Sequence, residues 1–466
     1  MQQETKEINL ANTSISSLIA KFAFPAILAN LVGSIYNIAD QIFIGQKMGT
    51  VGNAATNIAF PLVLLMTMFS TMLGSGGSSR FSLYQGAGEN KKAGEIIGNS
   101  LVALVISGVG LMVGTLLFLR PLMKLFGAKG ETLELAIEYT RIIAIGMPFQ
   151  IFGAGASMFV RADGSPKYAM TSTLAGAILN VILDPIFLFG MDMGMTGAAL
   201  ATIIGQMIGA FIALSYFRKF KSAKLNLEAF IPHLSCLKEI CILGLPAGLM
   251  QIAVMAVQIV MNNTLGYYGE QTIYGRDIPL AVSGVVTKIN SIFTATVMGI
   301  CQSCQPIFGY NYGAKNFRRV KEAFRATAYI STAISAISEI LFQLFPQQIL
   351  EIFQQGDKLY ISFGIGYLRI FMGAIILNGI TVLISNFFPS IGMAKEGMVA
   401  SLSRQVFFQL PFILFFPLIW GLNGMLYAGP VADASAALLC SLLAMKTLKQ
   451  LNTGSSNTQQ TYPDNV

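Results

Sequence analysis

Residues 101–118 read LVALVISGVGLMVGTLLF and carry no charge. A run of this length and composition is typical of a helix that crosses a bilayer, because about 20 apolar residues span its hydrocarbon core. The rest of the chain has the same character: 54% of its 466 residues are hydrophobic and only 11% are charged. An ordinary soluble domain carries about 25% charged residues, so the composition excludes a soluble globular protein.

Apolar windows bounded by charges and by Gly/Pro clusters predict an all-α membrane protein with twelve spanning helices. The predicted spans lie near 17–44, 52–79, 93–118, 134–158, 167–189, 195–217, 238–267, 278–306, 320–344, 360–388, 397–419 and 422–446. We expect a cytoplasmic N-terminal segment over 1–16, an N-lobe over 17–217, a cytoplasmic linker over 218–237, a C-lobe over 238–448 and a disordered cytoplasmic tail over 449–466.

Five landmarks of the first half recur in the second half in the same order, 221–228 residues later. They are Pro25 with Pro246, the basic turns that begin at Gly86 and Gly313, GSPK at 164–167 with GMAK at 392–395, Pro185 with Pro411, and Gly194 with Gly421. The nearly constant shift indicates a six-helix unit duplicated in tandem. Because six is even, both copies enter the membrane from the same side, and the two lobes are related about an axis along the membrane normal.

The distribution of basic residues predicts the orientation. With the N-terminus inside, the cytoplasmic segments hold 21 lysines and arginines and the outer segments hold 6. Positive charge collects in cytoplasmic loops, so both termini are expected in the cytoplasm of a cell-membrane protein. Topology thus accounts for most of the net charge of +8, and a nucleic-acid partner gains no support.

Motifs for catalysis and for cofactors are absent from the sequence. His233 is the single histidine, the five cysteines are too few for a disulfide framework, and no GxxxxGK[ST] phosphate loop occurs. We therefore expect neither an enzyme nor an ATP-driven pump, with no metal site and no cofactor beyond a coupling ion.

Two acids inside predicted spans of the first half are candidate functional residues, because a charge at mid-bilayer costs at least about 2.5–3.5 kcal/mol. Asp40 in span 1 has Asn37 one turn earlier, and Asp184 in span 5 has Asn180 one turn earlier. Together the acids could hold a proton or a small cation. The alternative is structural: Asp40 ends its helix at the interface, and Asp184 serves the break at Pro185.

In the second half the embedded charges are Lys288, Arg369 and Asp433, and we expect Asp433 to pair with Lys288 or with Arg369. Pro25 and Pro246 are either ordinary kinks or the points at which spans 1 and 7 bend to open and close the lobes.

In several of these residues the chain resembles the multidrug and toxic compound extrusion (MATE) transporters. The resemblance covers about residues 15–448 and is carried by Pro25 with NIADQIFIG at 37–45, by RADGSPK at 161–167, and by Asn180 with Asp184-Pro185. It implies two six-helix lobes around a central cavity and export of bulky organic cations in exchange for H⁺ or Na⁺. It also implies an N-lobe site at Asp40, Asn180 and Asp184, with Thr202 matching a further polar position.

One branch of the family carries acids in spans 7 and 10, which this chain lacks. The departure favours coupling through the N-lobe, as in the prokaryotic DinF-like members and the related bacterial multidrug exporters.

The sequence thus predicts a monomeric secondary active multidrug antiporter that alternates access between two lobes, with small organic cations and the lipid bilayer as its partners. One alternative is a flippase for a lipid-linked precursor or polysaccharide, although few embedded basic residues (Arg141, Lys288, Arg369) are available to hold a pyrophosphate. A second alternative is a membrane receptor or scaffold without transport.

Overall fold

The computed structural model describes residues 10–223, 225–352 and 358–451. Within these ranges, eleven helices are long and apolar enough to cross a membrane, and a bent pair of helices supplies a twelfth span. The predicted all-α membrane fold is therefore confirmed. Most of the predicted N-terminal segment (1–9) and of the predicted disordered tail (452–466) lies outside the described residues.

The twelve spans, α1 to α12, divide into two sets of six. The first set is α1 Ile15–Gly49, α2 Val51–Gly86, α3 Asn90–Leu117, α4 Gly130–Ala162, α5 Pro166–Gly190 and α6 Gly194–Lys219. The second set is α7 Leu234–Gly269, α8 Asp277–Gly313, α9 Phe317–Leu344, α10 Lys358–Phe371 with Ile375–Ser390, α11 Ala394–Trp420 and α12 Leu422–Gln450. Since the number of spans is even, α1 begins and α12 ends on one side, which we call the terminal side.

The turn between α1 and α2 consists of one residue out of helical conformation. Gly49 has φ +64°, in the left-handed region that glycine adopts at no steric cost. Both helices also run unbroken through prolines, at Pro25 in α1 and at Pro61 in α2. Similarly, α7 continues through Pro246.

The predicted linker packs against the terminal side of the N-lobe. The Asp163 carboxylate, at the end of α4, accepts hydrogen bonds from the backbone N–H groups of Lys221 and Ser222, each at 2.9 Å. The side-chain oxygen of Asn99 in α3 accepts from the N–H of His233 at 2.6 Å. These contacts satisfy backbone groups that an irregular segment would otherwise leave unpaired.

The break in α10 differs from the prediction of one continuous span over 360–388. The two halves of α10 meet at an angle of 44°. Side chains of α9 serve the freed backbone groups: Glu339 accepts from the Ile376 N–H at 2.9 Å, and the Gln343 amide donates to the Arg369 carbonyl at 2.9 Å. The apolar pattern of the sequence continues across the break, so the sequence does not indicate that α10 is broken there.

The two lobes meet closely on the terminal side, where α2 crosses α8. A Cβ atom on Gly86 would lie 2.0 Å from the carbonyl oxygen of Tyr310, and one on Gly313 would lie 2.1 Å from that of Leu83. The two glycines occupy equivalent positions in the repeats, so the contact is reciprocal. Small residues at a helix crossing let backbones approach in this way.

An ion pair between the lobes accompanies this crossing. The Arg80 guanidinium in α2 donates to the Glu239 carboxylate in α7 at 2.6 Å, and the Tyr84 hydroxyl donates to the same carboxylate at 2.9 Å. The lobes are thus in contact on the terminal side through both backbone packing and polar side chains.

We expect Gly86→Ala to push α2 and α8 apart, because the added methyl meets backbone atoms that cannot rotate away. Overpacking of this kind costs about 1–3 kcal/mol and should lower the melting temperature of the purified protein in detergent. Gly110→Ala is the control, because a Cβ at that α3 position meets open space. Equal melting temperatures for the two variants would contradict the assignment.

Candidate substrate and coupling-ion site

A cavity of about 520 Å³ lies between the lobes. Its wall is formed mainly by α1, α4, α5 and α6 of the N-lobe, and α7 and α8 of the C-lobe close it with Gln251, Met298 and Gln302. Among the described residues its lining is uncharged and consists mainly of small side chains, amides and hydroxyls, with Phe149 and Met298 as large apolar members. Asn37, Asn180 and Thr202, which the sequence analysis selects, all line it.

The two predicted acids meet behind this wall. Asp184 is fully buried, at 0% exposure, and its carboxyl group lies within hydrogen-bonding reach of that of Asp40. The Oδ1 atom of Asp40 is buried and has no hydrogen-bond donor among the described residues. Ionised carboxylates only accept hydrogen bonds. Two of them in contact therefore need a proton on one carboxyl group or a cation between the two.

Asn180 connects the acid pair to the cavity. Its amide nitrogen lies 3.4 Å from Asp184 Oδ1 and 3.3 Å from the Thr202 hydroxyl. If the amide is turned over, its nitrogen donates to Asp184 Oδ2 at 3.3 Å and its oxygen accepts from the Thr202 N–H at 3.3 Å. In both orientations Asn180 bridges α5 and α6 and donates to the buried acid.

Asn37 takes a different place from the one that its spacing suggests. Its amide donates to the Gly33 carbonyl of its own helix at 2.7 Å, and its side chain is exposed toward the cavity. It is thus a lining residue, with no hydrogen bond to either acid among the described residues.

Two tyrosines beside the acids do not appear among the sequence-derived candidates. Tyr36 of α1 and Tyr139 of α4 lie close enough to Asp40 and Asp184 for the carboxylate charges to act on the two phenol groups. Tyr36 lies one turn before Asp40, so helical spacing is a signal that could have found it. Tyr139 approaches from another helix, and nothing local in the sequence marks it.

The expected pairing of Asp433 with Lys288 or Arg369 is wrong. Asp433 in α12 forms an ion pair with Arg404 in α11, and the side chains of Lys288 and Arg369 are exposed. The count of 21 cytoplasmic basic residues includes Arg404, although the predicted span over 397–419 contains it. Arg404 lies ten residues inside α11, and its side chain is only 18% exposed. A buried carboxylate needs a charged or hydrogen-bonding partner at its own depth, and α11 supplies it.

Two lobes of six helices surround an uncharged cavity, and behind one wall lie two acids, of which Asp184 is fully buried and Asp40 partly buried. This arrangement is that of a membrane transporter and not of an enzyme. The sequence model of the MatE family matches residues 25–186 and 246–415, one stretch in each lobe. The chain therefore belongs to the MatE family, which confirms the resemblance seen in the sequence.

Relatives and solved structures agree with this placement. The chain is 26% identical over 425 residues to the multidrug export protein MepA of Staphylococcus aureus, with 91% of each chain covered. The MepA protein of Staphylococcus saprophyticus is also 26% identical, over 92% of this chain and 94% of the relative.

Among solved structures, an outward-facing multidrug resistance MATE family transporter matches with a TM-score of 0.89 at 24% identity, covering 97% of this chain and 100% of that one. A MOP superfamily transporter from Pyrococcus furiosus, described as having a binding pocket of reverse polarity, matches with a TM-score of 0.88 at 25% identity over the same shares.

We expect the acid pair to make thermal stability depend on pH. Raising the pH ionises both carboxyl groups, and their repulsion should lower the melting temperature of the wild type in sodium-free detergent buffer. In Asp40→Asn the amide can donate to Asp184, so the decline should be smaller.

Asp192→Asn is the matched control. A hydrogen bond from Lys47, near the end of α1, lowers the pKa of the Asp192 carboxyl. Asp192 is exposed and lies in the loop between α5 and α6, outside the cavity lining. The control should keep the pH response of the wild type. An equal decline in Asp40→Asn and in the wild type would count against a close acid pair.

Proposed function

We propose that this transporter is a secondary active antiporter that exports bulky organic cations in exchange for protons. The observation that carries the proposal is the contact between Asp40 and Asp184 behind an uncharged cavity wall. When both carboxyl groups are ionised, their negative charge attracts a cation into the cavity. When they share a proton, half of that charge is neutralised and the cation is released. The name of the MepA relatives, multidrug export protein, supports this substrate class.

The exchange needs the cavity to face the two sides of the membrane in turn. The contacts between the lobes on the terminal side, at Gly86, Gly313 and the Arg80–Glu239 pair, would separate for the cavity to open there. Pro25 and Pro246 lie within α1 and α7, and each removes one backbone hydrogen bond from its helix. Bending at these prolines would let the two helices follow the separating lobes.

The terminal side is proposed to be cytoplasmic and the membrane to be the cell membrane. Basic residues remain concentrated on the terminal side after Arg404 is reassigned to α11, as the positive-inside rule expects. In this orientation a proton enters the acid pair from outside and leaves to the cytoplasm. The proton is favoured over Na⁺ because direct contact between two carboxyl groups is the arrangement that a shared proton permits.

A flippase for a lipid-linked pyrophosphate gains no support from the cavity walls. In the part of the chain that the structure describes, Arg404 is the one basic residue that lines the cavities between the lobes. A single guanidinium whose charge Asp433 already offsets falls short of the several negative charges of a pyrophosphate.

The proposal predicts that Asp184→Asn in proteoliposomes loses export of a fluorescent organic cation driven by an imposed proton gradient, down to the level of empty vesicles. Asp40→Asn should behave in the same way, since either amide removes one of the two ionisable groups. Asp192→Asn should transport like the wild type, and circular dichroism should show equal helix content in all three variants.

Proton and sodium gradients are imposed separately in this assay. Export that follows the sodium gradient alone would replace the proton by Na⁺ and would reject the shared-proton mechanism. Proton-driven export that persists in Asp40→Asn/Asp184→Asn would reject the acid pair as the coupling site.

A further inference from the structure

The C-lobe carries a polar pocket of its own beside the central cavity. This pocket, of about 120 Å³, is formed mainly by α7, α8, α10 and α11, and it shares Gln251, Met298 and Gln302 with the larger cavity. Its remaining wall includes Gln305 and Asn386, whose amides hydrogen-bond to each other at 2.8 Å. We call it the C-lobe pocket. Since three residues line both spaces, the C-lobe pocket adjoins the central cavity.

Arg404 is the charged residue in the lining of the C-lobe pocket. Its Nε atom donates to the Asp433 carboxylate, which is buried at 3% exposure. A guanidinium has five N–H donors in a planar fork, and this bond uses one of them. The donors of the two terminal nitrogens form no bond to another residue that the structure describes. Arg404 therefore offers donors to the pocket while Asp433 offsets its charge.

The repeat relation shows that this arrangement belongs to the C-lobe alone. Asp433 lies 227 residues after Gln206, the shift that also relates Gly194 to Gly421, and Gln206 lines the central cavity. The position that corresponds to Asp184 at the shift of Pro185 and Pro411 holds Leu410. The N-lobe thus places carboxylates behind its wall, whereas the C-lobe places a guanidinium in its wall.

The backbone of the segment that carries Arg404 is irregular, as it also is at Ile186–Gly190 and Tyr367–Phe371. Residues Ser403–Gln409 of α11 form a π-helical segment that ends just before Pro411. Wider turns of this kind are rare in proteins, and many of those that occur lie at functional sites. Here the widened turn lies about 15 Å inside the helix, ten residues from its start, near the middle of the membrane.

We propose that the C-lobe pocket binds a carboxylate group of the transported molecule through the terminal nitrogens of Arg404. The inference rests on the proposed function and narrows its substrate class: the transporter accepts zwitterionic amphiphiles, with the cationic end toward the N-lobe acids and the carboxylate at Arg404. A guanidinium fork matches a carboxylate with two parallel hydrogen bonds, which are stronger than bonds to a neutral acceptor.

The test uses two rhodamine dyes that differ in one group: a cationic dye with a free benzoate carboxylate, and its methyl ester. Binding to the purified transporter is measured by fluorescence titration. The variant is Arg404→Gln/Asp433→Asn, which keeps a hydrogen bond between the two positions and leaves no buried charge unpaired. Lys288→Gln, an exposed position of the same lobe, is the control.

We expect the double variant to bind the free-carboxylate dye about tenfold more weakly, as the loss of a charge-assisted hydrogen bond implies. Its affinity for the ester should remain that of the wild type. An equal loss for both dyes would assign Arg404 a structural role, and unchanged binding of both dyes would place the carboxylate elsewhere. Either result overturns the proposal.

Arg404→Lys gives a second reading if the double variant does not fold. It keeps the charge beside Asp433 but loses the fork, so it should weaken binding of the free-carboxylate dye and not of the ester. Equal binding of both dyes by Arg404→Lys and the wild type would contradict the proposal. Proton-driven export of the ester dye tests the proposed function separately: its absence in the wild type, together with carboxylate-selective binding, would reject the antiporter and retain the pocket.

Discussion

Polar groups inside a bilayer have no water to bind, so each of them must find its partner within the protein. This constraint explains the helices themselves and also their irregularities. Glu339 and Gln343 of α9 form hydrogen bonds with the backbone of α10 at its break, and Asp433 is paired with Arg404. Several buried side-chain oxygens lack a partner in the part of the chain that the structure describes, and the Oδ1 atom of Asp40 is the carboxylate oxygen among them. A group that the protein leaves without a donor at this depth is suited to a mobile proton or cation.

The two halves of the tandem repeat share the packing at the lobe contact but differ in their buried polar residues. Gly86 and Gly313 meet the opposite helix at almost the same distance, because the crossing of α2 and α8 needs a small residue from each lobe. The acid pair of the N-lobe has no copy, and its place in the C-lobe is apolar at Leu410. The two lobes share one scaffold but carry groups of opposite charge near the cavity, acids in the N-lobe and a guanidinium in the C-lobe. This difference suits the proposed substrate, whose two ends differ in charge.

The contacts between the lobes on the terminal side combine two kinds of interaction of unequal strength. In the Arg80–Glu239 pair Arg80 is buried and Glu239 is partly exposed, with side-chain exposures of 10% and 31%. The cost of removing a buried charge from water offsets much of the attraction in such a pair. The close helix crossing at the glycines gains dispersion along its length. A closure built from many small contacts and one weak ion pair can be opened repeatedly, as the proposed alternating access requires.

From the linear chain alone one can predict the membrane class, the twelve spans, the repeat and the candidate residues Asp40, Asn180 and Asp184. These features depend on local hydropathy and on the rarity of charges in apolar helices, both of which are visible in a linear chain. Only the folded chain shows the contact between the two acids, the place of Tyr139, the break in α10 and the partner of Asp433. Each of these depends on which helix faces which, and on the depth at which two side chains meet. Helices of similar apolar composition do not encode those neighbours locally. The sequence therefore favours Lys288 or Arg369 as the partner of Asp433, whereas in the folded chain the partner is Arg404.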